Sequence, residues 1–237
     1  MKINAGVLVN HIEKATISGL INEMVLNEDM KFAVTDDARS VLSICSGLIG
    51  KNDFGKIGIY DLGLMIKTIQ FASNSIFNPD EELDIKVVEN KLIFKKEDNE
   101  FKFLLSNPKV ISSTIEDVEA VLIKLRSKDH IQIVLDKRDL TSILAAIALI
   151  NPEIVSIVVD GNKILCSIGK DTEHNTIIKI GSCANPQELN LKFKPDLMAR
   201  VLTTLSNCDD IKVEIREDFP IIFVVDNYIL VMAPVKE

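Results

Sequence analysis

The sequence predicts an α+β protein that consists of two copies of one domain, and three observations favour this class. The apolar residues are mostly Ile, Leu and Val, with no Trp and two Tyr, and β-branched residues favour sheets. Both halves show the same order of elements: strand, helix, hairpin, strand, helix and a three-strand meander. Short segments also match between the halves, as Asp84-Ile85-Lys86-Val87 does with Asp210-Ile211-Lys212-Val213.

The first half gives each element a local signal. Apolar residues at helical spacing predict amphipathic helices, alternating residues predict strands, and Asp61 is a good N-cap. The expected elements are a helix over 5–17, hairpin strands over 30–35 and 39–46, a strand over 55–60, a helix from 62, and strands over 83–88, 91–96 and 101–105.

The second half repeats this order. Asp136 or Asp139 can cap its first helix, Asp160-Gly161-Asn162 is typical of a hairpin turn, and Pro195 suits the first turn of a helix. The expected elements are a strand over 131–135, a helix to 150, hairpin strands over 154–159 and 163–168, strands over 177–181 and 189–193, a helix over 195–205, and strands over 211–216, 220–225 and 228–232.

These elements divide the chain into two domains, residues 1–108 and 129–237, with a connector over 109–128. Within the connector, four apolar residues at helical spacing indicate a short helix. They are Ile115, Val118, Leu122 and Leu125.

Composition excludes several classes. The chain has 47% hydrophobic and 26% charged residues, which is typical of a globular protein. It contains no apolar run of 18 residues, so no transmembrane helix is expected, and its first residues do not resemble a signal peptide. Four cysteines without a C-x-x-C pair predict reduced thiols and a cytosolic protein. The net charge of −8 argues against a generic basic nucleic-acid binder.

The sequence contains no recognisable catalytic or phosphate-binding motif. His11, His130 and His174 are isolated in sequence. Acidic pairs such as Asp36-Asp37 and Asp209-Asp210 lie where solvated turns are expected. We therefore predict no enzymatic activity, no cofactor and no metal site.

The repeat and three local segments resemble the DNA polymerase sliding clamps, both the proliferating cell nuclear antigen type and the tailed-phage type. Ile57–Leu62 is similar to the strand, Tyr-Asp-Leu and helix segment of phage clamps. Tyr228–Lys236 is similar to the closing strand and Ala-Pro tail of cellular clamps, and Met30–Ser46 matches their first hairpin. The resemblance in element order covers essentially the whole chain.

The resemblance implies the DNA clamp fold, with outer antiparallel sheets and inner helices, in a homotrimeric ring of six domains. Such a ring slides on double-stranded DNA without reading its sequence, tethers a DNA polymerase, and is opened and closed by a clamp-loader ATPase. It has no membrane partner, and it would lie in the host cytoplasm if phage-encoded or in the nucleus if eukaryotic.

A sliding ring must contact phosphates without reading bases, so basic residues should lie on its helices. The candidate DNA-binding residues are Lys14, Lys67, Lys137, Arg138, Lys194 and Arg200. Solvated helix faces are the alternative interpretation of these residues. The third helix, 140–150, is apolar nearly all round, so we expect it to pack at a subunit interface or against a neighbouring helix.

Clamps bind a short hydrophobic peptide of their partners between the connector and the C-terminal tail. The residues at matching places are Ala38, Arg39, Val41, Ile115, Val118, Ala233, Pro234 and Val235. For the connector the match is positional only, and a short helix packed on its own domain explains it equally well.

Three other functions stay open on the sequence alone. A monomeric clamp-like polymerase accessory protein would not encircle DNA and would need a more basic surface. A hydrolase or transferase would need converging catalytic groups. A duplicated structural protein, for example of a virion, would have no role on DNA.

Overall fold

A computed structural model describes residues 1–46, 51–73, 78–96, 99–115, 118–126, 130–169 and 174–235. The chain forms two compact units. The first consists of Met1–Arg39 and Ser43–Val118, and the second of Ser40–Leu42 and Glu119–Glu237. The division at Val118 lies inside the predicted connector.

The first unit combines two helices with short strands. Its elements are β1 (Lys2–Asn4), α1 (Ala5–Thr16), β2 (Met24–Leu26), β3 (Phe32–Thr35), β4 (Val41–Cys45), β5 (Ile57–Ile59), α2 (Leu62–Ser73), β6 (Glu82–Val88), β7 (Lys91–Lys96) and β8 (Asn99–Leu104). A 3-10 turn, Pro108–Val110, follows β8.

The main sheet of the first unit is antiparallel, with strand order β1-β6-β7-β8. Its register pairs Ile3 with Leu83 and Ile85 with Phe94, and these four side chains are buried. The helices α1 and α2 pack against each other, and α2 also contacts β6, β7 and β8. The core of this unit therefore lies between its two helices and one face of its sheet.

The second unit has the same design. After the connector helix α3 (Val118–Arg126), its elements are β9 (Ile131–Leu135), α4 (Lys137–Ile150), β10 (Val155–Ile168), β11 (Thr176–Phe193), α5 (Pro195–Leu205), β12 (Ile211–Ile215), β13 (Ile221–Val225) and β14 (Tyr228–Met232). The four strands β9, β12, β13 and β14 are neighbours in that order.

The two units thus repeat one topology. In each unit, the first strand pairs antiparallel with the first strand of the meander, as Ile133 pairs with Val213 in the second unit. The two helices of the second unit also pack together, with α4 beside α5 and α5 against β14. This arrangement confirms the predicted α+β fold with a duplicated element order.

One predicted hairpin is wrong. Residues 154–168 do not turn at Asp160-Gly161-Asn162 but form the single strand β10, which pairs along its whole length with β11. The register shifts between Gly161 and Lys163, and Gly161 has φ +57°. A glycine at positive φ accommodates a β-bulge as readily as a tight turn. The segment Asp160-Gly161-Asn162 is therefore compatible with a continuous strand.

The helix starts follow the predicted caps. The Leu64 N–H donates to Asp61 Oδ1 at 2.7 Å, which fixes the first turn of α2. At α4, the Asp139 N–H donates to Asp136 Oδ1 at 2.8 Å, and the Asp136 N–H donates to Asp139 Oδ2 at 3.4 Å. The two residues therefore form a capping box, with Asp136 as the N-cap.

All four cysteines are free thiols. Burial raises the pKa of the Cys166 thiol to about 12, so this thiol stays protonated in the core. In the part of the chain that the structure describes, no helix is long and apolar enough to cross a membrane.

Candidate nucleic-acid interface and partner groove

Five of the six predicted DNA-binding residues are exposed on helices or at their first residues. Lys67 lies on α2, Lys137 and Arg138 begin α4, Lys194 is the N-cap of α5, and Arg200 lies within α5. Cations at a helix start oppose the helix dipole, which favours anions there. The positions of Lys137, Arg138 and Lys194 therefore contribute no stability through the dipole, but they suit an external anion.

Lys14 corrects the prediction. Its residue is 4% exposed on α1, and the Ser43 hydroxyl donates to its backbone carbonyl at 2.8 Å. The helical pattern placed Lys14 on the polar side, but the hairpin packs over that turn of the helix. A lysine buried in this way does not offer its ammonium group to a phosphate.

Four strand lysines of the first unit form salt bridges. They pair with carboxylates at 2.9–3.4 Å. These pairs are Lys2 with Glu82, Lys86 with Asp84, Lys96 with Glu81, and Lys102 with Glu100. The bond from Lys102 also lowers the pKa of the Glu100 carboxyl. Four lysines of this sheet are therefore paired, whereas Lys91 and Lys95 of β7 form no salt bridge within the described ranges.

The exposed helix cations differ. Within the described ranges, Lys67, Lys137, Arg138 and Lys194 form no salt bridge with a carboxylate. Their positive charge is therefore available to an external anion, whereas the charges of Lys2, Lys86, Lys96 and Lys102 are balanced by carboxylates. Exposed salt bridges contribute little to the free energy of folding. The contrast between paired and unpaired cations therefore matters for the electrostatic potential of the surface.

The C-terminal tail lines a groove in the second unit. The tail groove has a volume of about 770 Å³. Its lining residues are Asn190, Leu191, Lys192, Asp218, Pro220, Ala233, Pro234 and Val235. Backbone bonds hold the tail, because the Ala233 N–H donates to the Ser40 carbonyl at 2.8 Å and the Val235 N–H to the Lys192 carbonyl at 2.7 Å.

The other predicted peptide-binding residues have different environments. Ala38 and Arg39 are exposed in the turn between β3 and β4, where Arg39 has φ +53°. Ile115 is half-buried, and its N–H donates to the Ala33 carbonyl at 2.9 Å. Val118 begins α3, but its side chain lies outside the described residues.

Val41 also corrects the prediction. It is 2% exposed in β4, because the alternation of the strand turns this side chain into the core. Val41 therefore does not present a surface to a peptide. The Ser40 carbonyl, next to this strand, accepts the hydrogen bond from the Ala233 N–H of the tail.

Sequence reasoning missed five residues of the tail groove. Three of them lie near the end of β11 and two in the turn before β13. They are Asn190, Leu191, Lys192, Asp218 and Pro220. No local signal could have found them, because strand pairing brings these segments beside the tail.

Two sheet edges carry exposed apolar side chains. In the first unit, β8 is the outer strand of its sheet, and Phe71 of α2 is 65% exposed and packs edge-on against Phe101 at 5.4 Å between ring centroids. We call this surface the β8 edge. It joins an outer strand to an exposed aromatic ring.

In the second unit, the segment 176–180 of β11 pairs only with β10 among the described strands. Ile177 on this segment is 62% exposed, and Leu149 of α4 is 86% exposed. We call this surface the β11 edge. A cavity of about 650 Å³ lies there, lined by Ala146, Leu149, Ile150, His174, Asn175 and Thr176.

Within the described ranges, no group of three or more His, Cys, Asp or Glu residues could hold a metal ion. The candidate binding surfaces of the two units are the exposed basic residues of the helices, the tail groove and the two sheet edges.

Neither a protein-family model nor a curated protein sequence matches the chain, but solved structures do. One is the A. fulgidus PCNA in a structure of the C-terminal region of FEN-1 bound to it, with a TM-score of 0.74 and 15% identity over 100% of this chain and 98% of that one. The Entamoeba histolytica proliferating cellular nuclear antigen gives a TM-score of 0.70 and 14% identity, over 99% and 98%.

The chain has the sliding-clamp fold. A putative DNA polymerase III beta subunit from Eubacterium rectale has the same fold, with a TM-score of 0.72 and 15% identity, and the chain spans 65% of that longer protein. The clamp fold accounts for the repeated sheet order in the two units. The roles of individual side chains follow from the chemistry of this chain.

Proposed function

We propose that this protein is a DNA sliding clamp without enzymatic activity. Copies of the chain close into a ring around duplex DNA, and the ring tethers a replicative DNA polymerase. A clamp-loader ATPase opens and closes the ring. The observation that carries the proposal is that a chain with the clamp fold exposes Lys67, Lys137, Arg138 and Lys194 on or at the start of its helices, with no carboxylate paired to them among the described residues.

Ring closure is supported by the two sheet edges. An outer strand with unpaired backbone groups and exposed apolar side chains favours pairing with another chain. The β8 edge and the β11 edge are different surfaces, so their contact is heterologous and joins copies head to tail. If the rotation closes after three copies, as in the proliferating cell nuclear antigen type, the ring contains six units and no free edge of this kind.

DNA binding is assigned to the exposed helix cations. Lys67, Lys137, Arg138, Lys194 and Arg200 contact phosphates, which gives binding that depends on salt and not on sequence. The net charge of −8 then belongs to the other surfaces, where it keeps DNA from binding outside the ring. A negative net charge is therefore compatible with a basic, DNA-binding surface on the helices.

The tail groove is assigned to the partner peptide. Its apolar members, such as Leu191, Pro220 and Pro234, can accept hydrophobic side chains, and the adjacent polar groups can orient the peptide. In the A. fulgidus structure, the C-terminal region of FEN-1 is the segment bound to PCNA. By analogy, a short segment of the polymerase or of the loader occupies the groove here.

Size-exclusion chromatography with light scattering tests the assembly. A particle of three times the chain mass supports the ring. A monomer that persists at every concentration contradicts the ring and favours the clamp-like accessory protein.

A further inference from the structure

A second polar cleft lies in the second unit, apart from the tail groove and the helix cations. The Arg216 cleft has a volume of about 490 Å³. Its lining residues are His130, Ile131, Gln132, Ser182, Cys183, Ala184, Asn185, Ile215 and Arg216. The described lining thus contains one arginine and one histidine but no carboxylate.

Phe219 holds both basic side chains in place. The guanidinium carbon of Arg216 lies 4.0 Å from the centroid of the Phe219 ring, a cation–π distance. The imidazole of His130 packs against the same ring at 5.7 Å between centroids, with an interplanar angle of 61°. One aromatic side chain therefore fixes two nitrogen-rich groups beside the same cleft.

Both basic groups have an unused nitrogen. Arg216 Nη1 and His130 Nε2 are buried and have no hydrogen-bond partner among the residues that the structure describes. A guanidinium nitrogen can only donate, and a buried donor without an acceptor destabilises the fold. An acceptor for Arg216 Nη1 must therefore come from water or from a bound ligand, since the described chain supplies none.

We propose that the Arg216 cleft binds a carboxylate of an acidic peptide segment. The guanidinium matches a carboxylate in shape and can donate two parallel hydrogen bonds to it. The ring N–H of His130 donates a further hydrogen bond. Because the two unused nitrogens are buried, binding requires the Arg216 and His130 side chains to turn toward the cleft.

Charge and size favour a peptide carboxylate over free phosphate. Arg216 supplies one permanent positive charge, which balances a carboxylate but not a dianionic phosphate. The cleft is also larger than a single ion requires, so it has room for an acidic side chain with its backbone.

The carboxylates of Glu214 and Asp218 are not among the residues that line the cleft. Glu214 lies on the same strand and accepts a hydrogen bond from Gln132 Nε2 at 3.4 Å. Asp218 lines the tail groove. Binding at the Arg216 cleft needs neither ring closure nor an occupied tail groove. A negative result in the test of this cleft would therefore leave the proposed sliding-clamp function intact.

The histidine content makes a direct test possible. The chain has three histidines, so full-length protein labelled with ¹³C at histidine Cε1 gives three ring signals, which substitution assigns. We would titrate it with the blocked tripeptide acetyl-Gly-Glu-Gly-amide and with its Gln counterpart at constant ionic strength. The expected result is a saturable shift of the His130 signal with the Glu peptide alone, while the His11 and His174 signals stay in place.

Substitution then assigns the shift to Arg216. Arg216→Gln should weaken Glu-peptide binding about tenfold or more, as expected for the loss of a charge-assisted hydrogen bond. Arg216→Lys, which keeps the charge without the planar fork, should give an intermediate loss. Lys91→Gln removes one positive charge from an exposed strand residue of the first unit and should leave binding unchanged. An unchanged urea unfolding midpoint shows that each variant is folded.

Three results would overturn the proposal. The Gln peptide could shift His130 as much as the Glu peptide does, which would remove the role of the carboxylate. Arg216→Gln could leave binding unchanged. Inorganic phosphate could saturate the site at a lower concentration than acetate, which would identify a phosphate site.

Discussion

The backbone N–H of Ala233 donates a 2.8 Å hydrogen bond to the carbonyl oxygen of Ser40. Two residues later, the Val235 N–H donates to the Lys192 carbonyl. Pro234 lies between these bonds and has no N–H of its own. The tail is therefore held by its backbone, while its half-buried side chains line the tail groove.

Deletion of Pro234–Glu237 should weaken the binding of polymerase or loader by about tenfold or more, because it removes part of an apolar pocket that anchors the peptide. Surface plasmon resonance with each partner measures the change. Deletion of Lys236 and Glu237 alone is the control, since it leaves the lining residues Ala233, Pro234 and Val235 present. Equal affinity for all three proteins would remove the tail from the site.

The triple substitution of Lys67, Lys194 and Arg200 to Ala should reduce DNA-dependent processivity without dissociating the ring. Each lost phosphate contact should lower the magnitude of the salt slope of DNA binding by about 0.9. The control is the triple substitution of Lys86, Lys91 and Lys95, which removes the same charge from exposed strand residues. If the control reduces processivity as much, net charge and not position is responsible.

The two sheet edges should be separable by substitution. Phe71→Asp blocks the β8 edge and Leu149→Asp blocks the β11 edge, because a charge at an exposed apolar contact opposes its burial. Each variant alone should be monomeric. An equimolar mixture should form a heterodimer and stop there, since one intact β8 edge and one intact β11 edge remain.

Light scattering distinguishes the outcomes of this mixing experiment. Val88→Asp places the same charge on another exposed apolar residue and should leave the assembly unchanged. A mixture that stays monomeric, or a single variant that still forms the full oligomer, would contradict the head-to-tail contact.

His11 should make the first unit sensitive to acid. Its ring is buried beside Phe32 and Cys45, and burial lowers its pKa from 6.5 to about 4. The unfolded state therefore binds a proton at a higher pH than the folded state. The contribution of neutral His11 to the free energy of unfolding is fully present above pH 6.5 and is lost as the pH falls toward 4. At about 1.4 kcal/mol per pKa unit, the loss amounts to up to about 3 kcal/mol.

Urea unfolding of the wild type and of His11→Gln between pH 7 and pH 4.5 measures this loss. Burial raises the pKa of Glu13, which acts in the opposite direction, so the difference between the two proteins isolates the histidine. The wild type should lose more stability than the variant. Equal losses would show that His11 titrates normally in the folded protein.

The helices and the meanders could be predicted because their signals are local. Asp61 and Asp136 precede apolar residues at helical spacing, and they cap α2 and α4 as expected. The strand β2 was not predicted, because its three residues, Met24-Val25-Leu26, are all apolar and show no alternation. Local chemistry thus determined most of the elements but not this strand.

Features that depend on distant partners could not be predicted. The Asp160-Gly161 dipeptide fits a hairpin locally, yet pairing with residues 181–188 of β11 keeps β10 extended. The helical spacing places Lys14 on the polar face of α1, but packing of the first hairpin buries it. The same limit applies to the tail groove, where Lys192 and Pro220 meet the tail only through strand pairing.

Retention on nicked circular DNA tests the central claim most directly. A closed ring that has been loaded should stay on the circle through a gel-filtration column at high salt and should be lost once the DNA is linearised, because it slides off the ends. Equal retention on circular and linear DNA, or no retention after loading, would contradict the account that this chain encircles DNA.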